Sequence, residues 1–314
     1  MILHCTATDE NNLWHNFKSD KNNWIDEKGE VPCETPQENL GHVFYSGWKK
    51  LGAKKIWAAR KNAKMIGSPL LSRKVLIVTG KPFDSGRDAE IIDLEDSSFK
   101  CAANIDKFPT HAEGASGGLM GMMTPFICGG WSPTTSTLKT CYTLENGKWK
   151  YDETASFKSA RGYAATGSVI INNKLVFAGG KDNSKYLSTI EVAAPNTASK
   201  ILPVKVPVAM WGSCIAPWDS STIIVIGGYG PIGGSSRSET YLIDIEKNTV
   251  TKGPNLPKPR HHFGCHEMVL SGESYIVVVG ASGQETSTFI LPKSSYKNGW
   301  QTSRDYDIPV CELR

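Results

Sequence analysis

The sequence holds no CxxC pair, no Asn-x-Ser/Thr sequon and no apolar run long enough to cross a bilayer as a helix. The first absence speaks against a zinc ribbon or a thioredoxin-type centre. The second removes one sign of secretion without excluding it. There is no P-loop, HExxH, nucleophile elbow or Ser–His–Asp pattern, so no motif marks phosphate cradling, metalloprotease or acyl-transfer chemistry. Charge of one sign is also scarce: 35 Lys and Arg stand against 31 Asp and Glu. That scattered excess gives no reason to expect nucleic acid or an anionic membrane as partner. Sustained 3.6-residue periodicity is missing too, which disfavours a parallel sheet with crossover helices. The start, MILHCTATDENN, carries only two apolar residues before polar sequence and has no signal peptide. The expected place is cytoplasmic, or extracellular if the natural N-terminus is missing.

What is present is a repeat. Five short β-branched runs end in glycine: Val75–Gly80, Pro125–Gly130, Leu175–Gly180, Ile223–Gly228 and Tyr275–Gly280. Their last glycines step by 50, 50, 48 and 52 residues. Such runs read as buried strands followed by a bend. A second strand follows each one, as in Thr140–Leu144 and Glu239–Ile245, and then a bulky residue: Phe99, Trp149, Val250 or Trp300. Upstream of the glycine by 19 or 20 residues stands Arg60, Arg161 or Arg260. A four-stranded unit of this kind cannot cover both its faces, but radial packing of copies does.

The pattern resembles the kelch repeat over about residues 55–314. The resemblance rests on the glycine pairs Gly129–Gly130, Gly179–Gly180 and Gly227–Gly228, on Tyr142 and Tyr241, and on Trp149 and Trp300. Thr79–Gly80 and Gly280–Ala281 keep one glycine each. The resemblance implies an all-β, kelch-type β-propeller with five clear blades and a degenerate sixth. Residues 1–54 would form a degenerate or partial blade or a cap, since Gly29 and Trp48 fall on the period. Residues 55–314 would form the propeller.

Cys128 and Cys141 flank a hairpin loop and would face each other in an antiparallel pair. A Cys before Gly-Gly with Cys-Tyr on the next strand is also similar to certain secreted invertebrate kelch proteins. A disulfide is the expectation and two free thiols the alternative. Cys214 and Cys265 fall on inner strands of neighbouring units and read as buried free cysteines.

Gly228–Gly233 matches GxGxxG but leads into loop and strand, so a blade loop is expected rather than a dinucleotide site. His261, His262, Cys265 and His266 form HHxxCH; strand alternation would split them between two faces, so no metal site is expected. The recurring arginines fit bonds to loop carbonyls or a carboxylate, with a ring of cations for an acidic peptide as the alternative. Trp131 and Tyr229, directly after glycine pairs, are candidate binding-loop residues. Trp14, Trp24, Trp211 and Trp218 are off the repeat position and serve either binding or wedging between blades.

The leading expectation is a non-enzymatic scaffold whose loops bind a protein or peptide, with no cofactor. Two alternatives stand beside it. One is an enzyme with a sugar-like small-molecule site at the channel mouth. The other is a disulfide-stabilised structural secreted protein.

Overall fold

The computed structural model describes residues 17–20, 23–26, 64–68, 72–80, 87, 89–93, 105–121, 124–162, 168–183, 185–231, 234–270, 272–281 and 287–302. Four antiparallel sheets of four strands, each a simple meander, make up most of them. Blade 1 runs Ser116–Met120, Thr124–Cys128, Cys141–Glu145, Lys148–Asp152. Blade 2 runs Val169–Ile171, Lys174–Ala178, Thr189–Ala194, Thr197–Lys205. Blade 3 runs Cys214–Pro217, Thr222–Ile226, Thr240–Asp244, Thr249–Lys252. Blade 4 runs Gly264–Leu270, Glu273–Val279, Thr288–Pro292, Gln301–Thr302. Helix among the described residues is limited to one turn at Tyr296–Asn298.

The count corrects the expectation of five clear blades and a sixth. The first repeat unit is a three-stranded sheet, Lys64–Ser68, Ser72–Val78 and Glu90–Asp93, which lacks a fourth strand among the described residues. Phe99, Trp48, Gly29 and Arg60 lie outside the described residues. Within residues 1–54 the described structure is a hairpin, Phe17–Asp20 paired with Asn23–Asp26.

The second strands end in apolar runs because both faces of those runs are covered. In Thr222–Ile226, Ile223 and Val225 pack with Val176, Ile190 and Ile215 toward blade 2. Ile224 and Ile226 pack with Phe263, Ile276 and Val278 toward blade 4. The same division holds in blade 1, where Phe126 and Cys128 face Leu175 and Phe177 of blade 2. Ile127 turns instead to Leu76 and Val78 of the three-stranded sheet. Strand alternation thus feeds a chain of apolar layers between neighbouring sheets. A single blade has no core of its own; the core lies at the blade-to-blade seams.

The glycine pairs make those seams close. The first glycine is left-handed, with φ of 68° at Gly129, 72° at Gly179 and 55° at Gly227. A Cβ there would sit 2.5 Å from Arg161 O, 2.7 Å from Met210 O and 2.7 Å from Arg260 O of the following blade. The second glycine donates its N–H to that same carbonyl: Gly130 to Arg161 at 2.9 Å, Gly180 to Met210 at 2.7 Å, Gly228 to Arg260 at 2.8 Å. In the three-stranded sheet Thr79 occupies the first position at φ 66°, a conformation β-branched residues rarely take. Gly80 N still reaches Ala112 O at 3.2 Å.

The recurring arginines complete the joint. Arg161 and Arg260 are fully buried. Arg161 Nη1 donates to Gly179 O and Thr189 O, each at 3.2 Å, while Nη2 donates to Thr189 Oγ1 at 3.0 Å and Glu191 Oε2 at 2.9 Å. Arg260 reaches the matching atoms of blade 4, Gly280 O and Ser287 O at 3.0 Å and Ser287 Oγ at 2.7 Å. The side chain therefore ties its own blade while the backbone ties the blade before it. At the register of Glu191, which pairs with Phe177, blade 4 has Phe289, which pairs with Val278. The Arg260 guanidinium lies 4.3 Å from the Phe289 ring centroid, a cation–π contact where blade 2 uses an ion pair.

The repeat tryptophans pin the connections. Trp149 Nε1 donates to Asp106 O at 3.0 Å and Trp300 Nε1 to Pro254 O at 2.9 Å. Asp106 and Pro254 each lie six residues before the joint position, at Ala112 and Arg260. Each tryptophan thus holds its outer strand against the segment that leads into its own blade.

Candidate functional site

In three blades a two-stranded ribbon follows the glycine pair. The ribbons are Trp131–Ser132 with Ser136–Thr137, Lys181–Asp182 with Lys185–Tyr186, and Tyr229–Gly230 with Ser235–Ser236. The first residue of each bridges to a residue shortly before the inner strand of the same blade: Trp131 to Glu113, Lys181 to Gly162, Tyr229 to Trp211. Trp131, Lys181 and Tyr229 are therefore equivalent positions, at the end of the sheets where the inner strands begin.

The ribbons are braced across blades. Thr137 Oγ1 donates to Asn183 Oδ1 at 3.0 Å, and Asn183 N–H donates back to Thr137 Oγ1 at 2.8 Å. Ser236 Oγ and His261 Nδ1 are 2.8 Å apart, which joins the third ribbon to the segment before blade 4. Arg237 and Glu239 form an ion pair beside it. Loops held this way are a fixed surface rather than a loose fringe.

Four rings meet at the third ribbon. Trp211 lies 4.7 Å from His262 and 5.8 Å from Tyr229, and Tyr229 lies 5.1 Å from His261. His261 and His262 are 5.0 Å apart. All four residues are part-exposed, unlike the buried core rings of Phe126, Phe157 and Phe177. Lys181 Nζ stands 5.6 Å from the Trp211 ring centroid.

Burial pushes the His261 imidazole below its ordinary range. Burial, with His261 adding to it, pushes His262 down to about 4. The cluster is therefore neutral at pH 7. Both folded values lie below the unfolded one, so between them the unfolded chain binds more protons. Stability from these groups is fully present above the unfolded value of 6.5 and is lost as pH falls toward about 4. The expected slope is at most about 1.4 kcal/mol per pH unit for each histidine. Urea midpoints at pH 7 and pH 5 read it. His262→Asn stays neutral and tolerates the positive φ of 51° at this position, so it should flatten the acid loss. An unchanged pH slope in that variant would contradict the assignment.

The sequence-derived candidates separate at this point. Tyr229 falls in the ring cluster, and Trp131 sits on the equivalent ribbon of blade 1, bridged to Glu113. The Gly228–Gly233 stretch contributes Tyr229–Gly230 to a ribbon, and the chain re-forms strand at Ser235–Ser236 with no helix between the two among the described residues. Cys128 and Cys141 pair in register with their sulfurs at bonding distance, 1.99 Å. Cys214 and Cys265 correct the expectation of free thiols: their sulfurs are 2.14 Å apart and join blades 3 and 4. The HHxxCH reading is corrected as well. The inner strand starts at Gly264, and His262 has a positive φ, so strand alternation does not govern His261 and His262. No group of three His, Cys, Asp or Glu that could hold a metal occurs among the described residues. Lys181 was not singled out by sequence reasoning. Its signal is positional: it is the residue after Gly179–Gly180, as Trp131 and Tyr229 are after theirs.

A second polar group lies on the inner strands. Lys64 Nζ donates to Ser168 Oγ at 3.0 Å, and that hydroxyl donates to Gly117 O at 2.7 Å while accepting from Gly117 N at 2.8 Å. Burial pushes the Lys64 ammonium down to about 8. The serine's bonds join three successive units, which is a bracing role.

No known protein family matches the chain, and no curated protein matches it in sequence. A solved propeller described as "Structure of YjhT" superposes with a TM-score of 0.67, over 81% of this chain and 86% of that one, at 10% identity. That likeness establishes the class, a β-propeller, and speaks to the fold alone.

Proposed function

We propose that this β-propeller is of the kelch type and acts as a binding scaffold, with the glycine-pair ribbons as the surface that takes a protein or peptide. The observation that carries the reading is the equivalence of the three ribbons, the first two braced on each other and the third on the segment before blade 4, which present Trp131, Lys181 and Tyr229 on one end of the sheets. Aromatic residues on a rigid frame are the usual anchors of recognition. The buried arginines support the scaffold part: they are consumed by the joints and give no ring of free cations. Two cysteine pairs at bonding distance also favour an oxidising compartment, and so the secreted reading of place.

The test is capture by the intact chain against a chain whose ribbon residues 131–136, 181–185 and 229–235 are replaced by short Gly-Ser turns. A specific partner should be lost with the thermal midpoint unchanged. Retention of that partner by the replaced chain would overturn the reading.

A further inference from the structure

We propose that the Trp211–Tyr229–His261–His262 cluster is a cation subsite that takes the basic side chain of a partner peptide, with the chain's own Lys181 as its resident stand-in. This rests on the peptide-binding reading of the ribbon face and names the chemistry of one anchor on it.

The first observation is a cation already seated. The Lys181 ammonium lies 5.6 Å from the Trp211 centroid, inside the reach of about 6 Å over which an aromatic face attracts a positive charge. It comes from blade 2, whereas the rings belong to blade 3 and the segment before blade 4. The lysine is thus a guest from across a seam, carried on a flexible stem.

The second observation is that the ring cluster is not core. Its four residues are part-exposed and assembled from three segments: Trp211 before blade 3, Tyr229 on the ribbon, His261 and His262 before blade 4. The rings of Phe157 and Phe177, packed between blades 1 and 2, are sealed by contrast. The third is charge. Burial keeps both imidazoles neutral near pH 7, so no positive charge within the cluster repels an incoming ammonium. Lys181 is followed by Asp182, and the Arg237–Glu239 ion pair lies beside Ser236; Arg260, directly before His261, turns its guanidinium into blade 4 onto Gly280 O and Ser287. The Ser236 hydroxyl is engaged with His261.

A peptide lysine would take the place of Lys181 on the Trp211 face. The probes are three capped peptides: Gly-Lys-Gly, the same with trimethyl-lysine, and the same with norleucine. They are titrated into the full chain, with indole and imidazole resonances followed by NMR. The lysine and trimethyl-lysine peptides should move the same resonances, and norleucine should not, because it keeps the aliphatic stem and lacks the cationic head. Lys181→Ala removes the competing ammonium and should tighten binding about fivefold. Trp211→Leu should abolish the response; if that variant does not fold, Trp211→Phe should weaken it.

Equal responses to lysine and norleucine would overturn the proposal. So would weaker binding in Lys181→Ala, which would make Lys181 a contact rather than a competitor. Silence of all three peptides toward Lys181→Ala would overturn it too. The two readings fail separately. Partner capture that survives ribbon replacement sinks the peptide-binding face. Capture that depends on the ribbons, with no preference for the charged probe, sinks only the cation subsite.

Discussion

Arg161→Ala is expected to destabilise the propeller by about 3–5 kcal/mol, which is the cost of breaking a buried ion pair from one side. The guanidinium serves four acceptors in blade 2, and its removal leaves Glu191 buried with its charge uncompensated. Glu191 accepts from the Lys158 backbone N–H with its other oxygen, so it cannot swing out to water without breaking a second contact. Burial depresses the Arg161 pKa and Glu191 pulls it back up. Glu191→Leu alone should also be costly, because it strands the cation. The double variant Arg161→Met with Glu191→Leu should recover part of the loss. It removes both charges and leaves an apolar slot beside Phe157 and Phe177. Urea unfolding of the parent chain, Arg161→Met, Glu191→Leu and the double variant closes the cycle. Additive losses would mean that the pair is not coupled and that the arginine acts only through the carbonyls.

Blade 4 offers a natural control. Phe289 stands at the register of Glu191, and Arg260 keeps the same carbonyl and hydroxyl partners. The common element of the two joints is therefore the arginine with the glycine and Thr or Ser oxygens. The carboxylate is one way to finish it.

Much of this fold was legible because each strand run announces itself locally. β-Branched residues closed by glycine need both faces buried and a left-handed bend, and residues within one run carry that information. The Cys128–Cys141 juxtaposition was legible for the same reason, since a hairpin's register is set by its own turn. The joint chemistry was half legible. Arg161 and Arg260 recur on the period, but that their side chains clasp the next glycine pair while their carbonyls clasp the last one appears only when blades pack. The number of blades was overread. A run such as Val75–Gly80 marks a second strand, not a whole sheet, and here it belongs to three strands. His261 and His262 were misjudged because alternation was applied before the strand begins at Gly264. The ring cluster was hidden for a plainer reason: Trp211, Tyr229 and His261 are 18 and 32 residues apart and meet only across a seam.

The same limit concealed the Cys214–Cys265 pair, and this pair carries the second large expected effect. Its cysteines are 51 residues apart, against 13 for Cys128–Cys141. Loop-closure entropy grows with the logarithm of that separation, so losing the longer link should cost about 4 kcal/mol and the shorter about 3. The contrast is sharpened by where each link lies. Cys128–Cys141 joins two strands already paired in blade 1, and the ladder holds them if the bond is cut. Cys214–Cys265 joins the inner strands of two different blades, which pair through no ladder and meet through packed side chains and loop bonds such as those of Gly228, Arg260 and His262. Cys214 is fully buried and Cys265 is part-buried, so paired Cys→Ala changes test both sites without burying new hydroxyls. Urea unfolding of each double variant should rank the interblade pair as the costlier. Blade 4 should then lose hydrogen-exchange protection before blades 1 and 2 do. An equal or reversed ranking would show that the interblade bond contributes no more than the intrablade one and that the apolar layer of the seam makes up the difference. Free alkylation of Cys214 and Cys265 in the native protein would show that the pair is not bonded in solution.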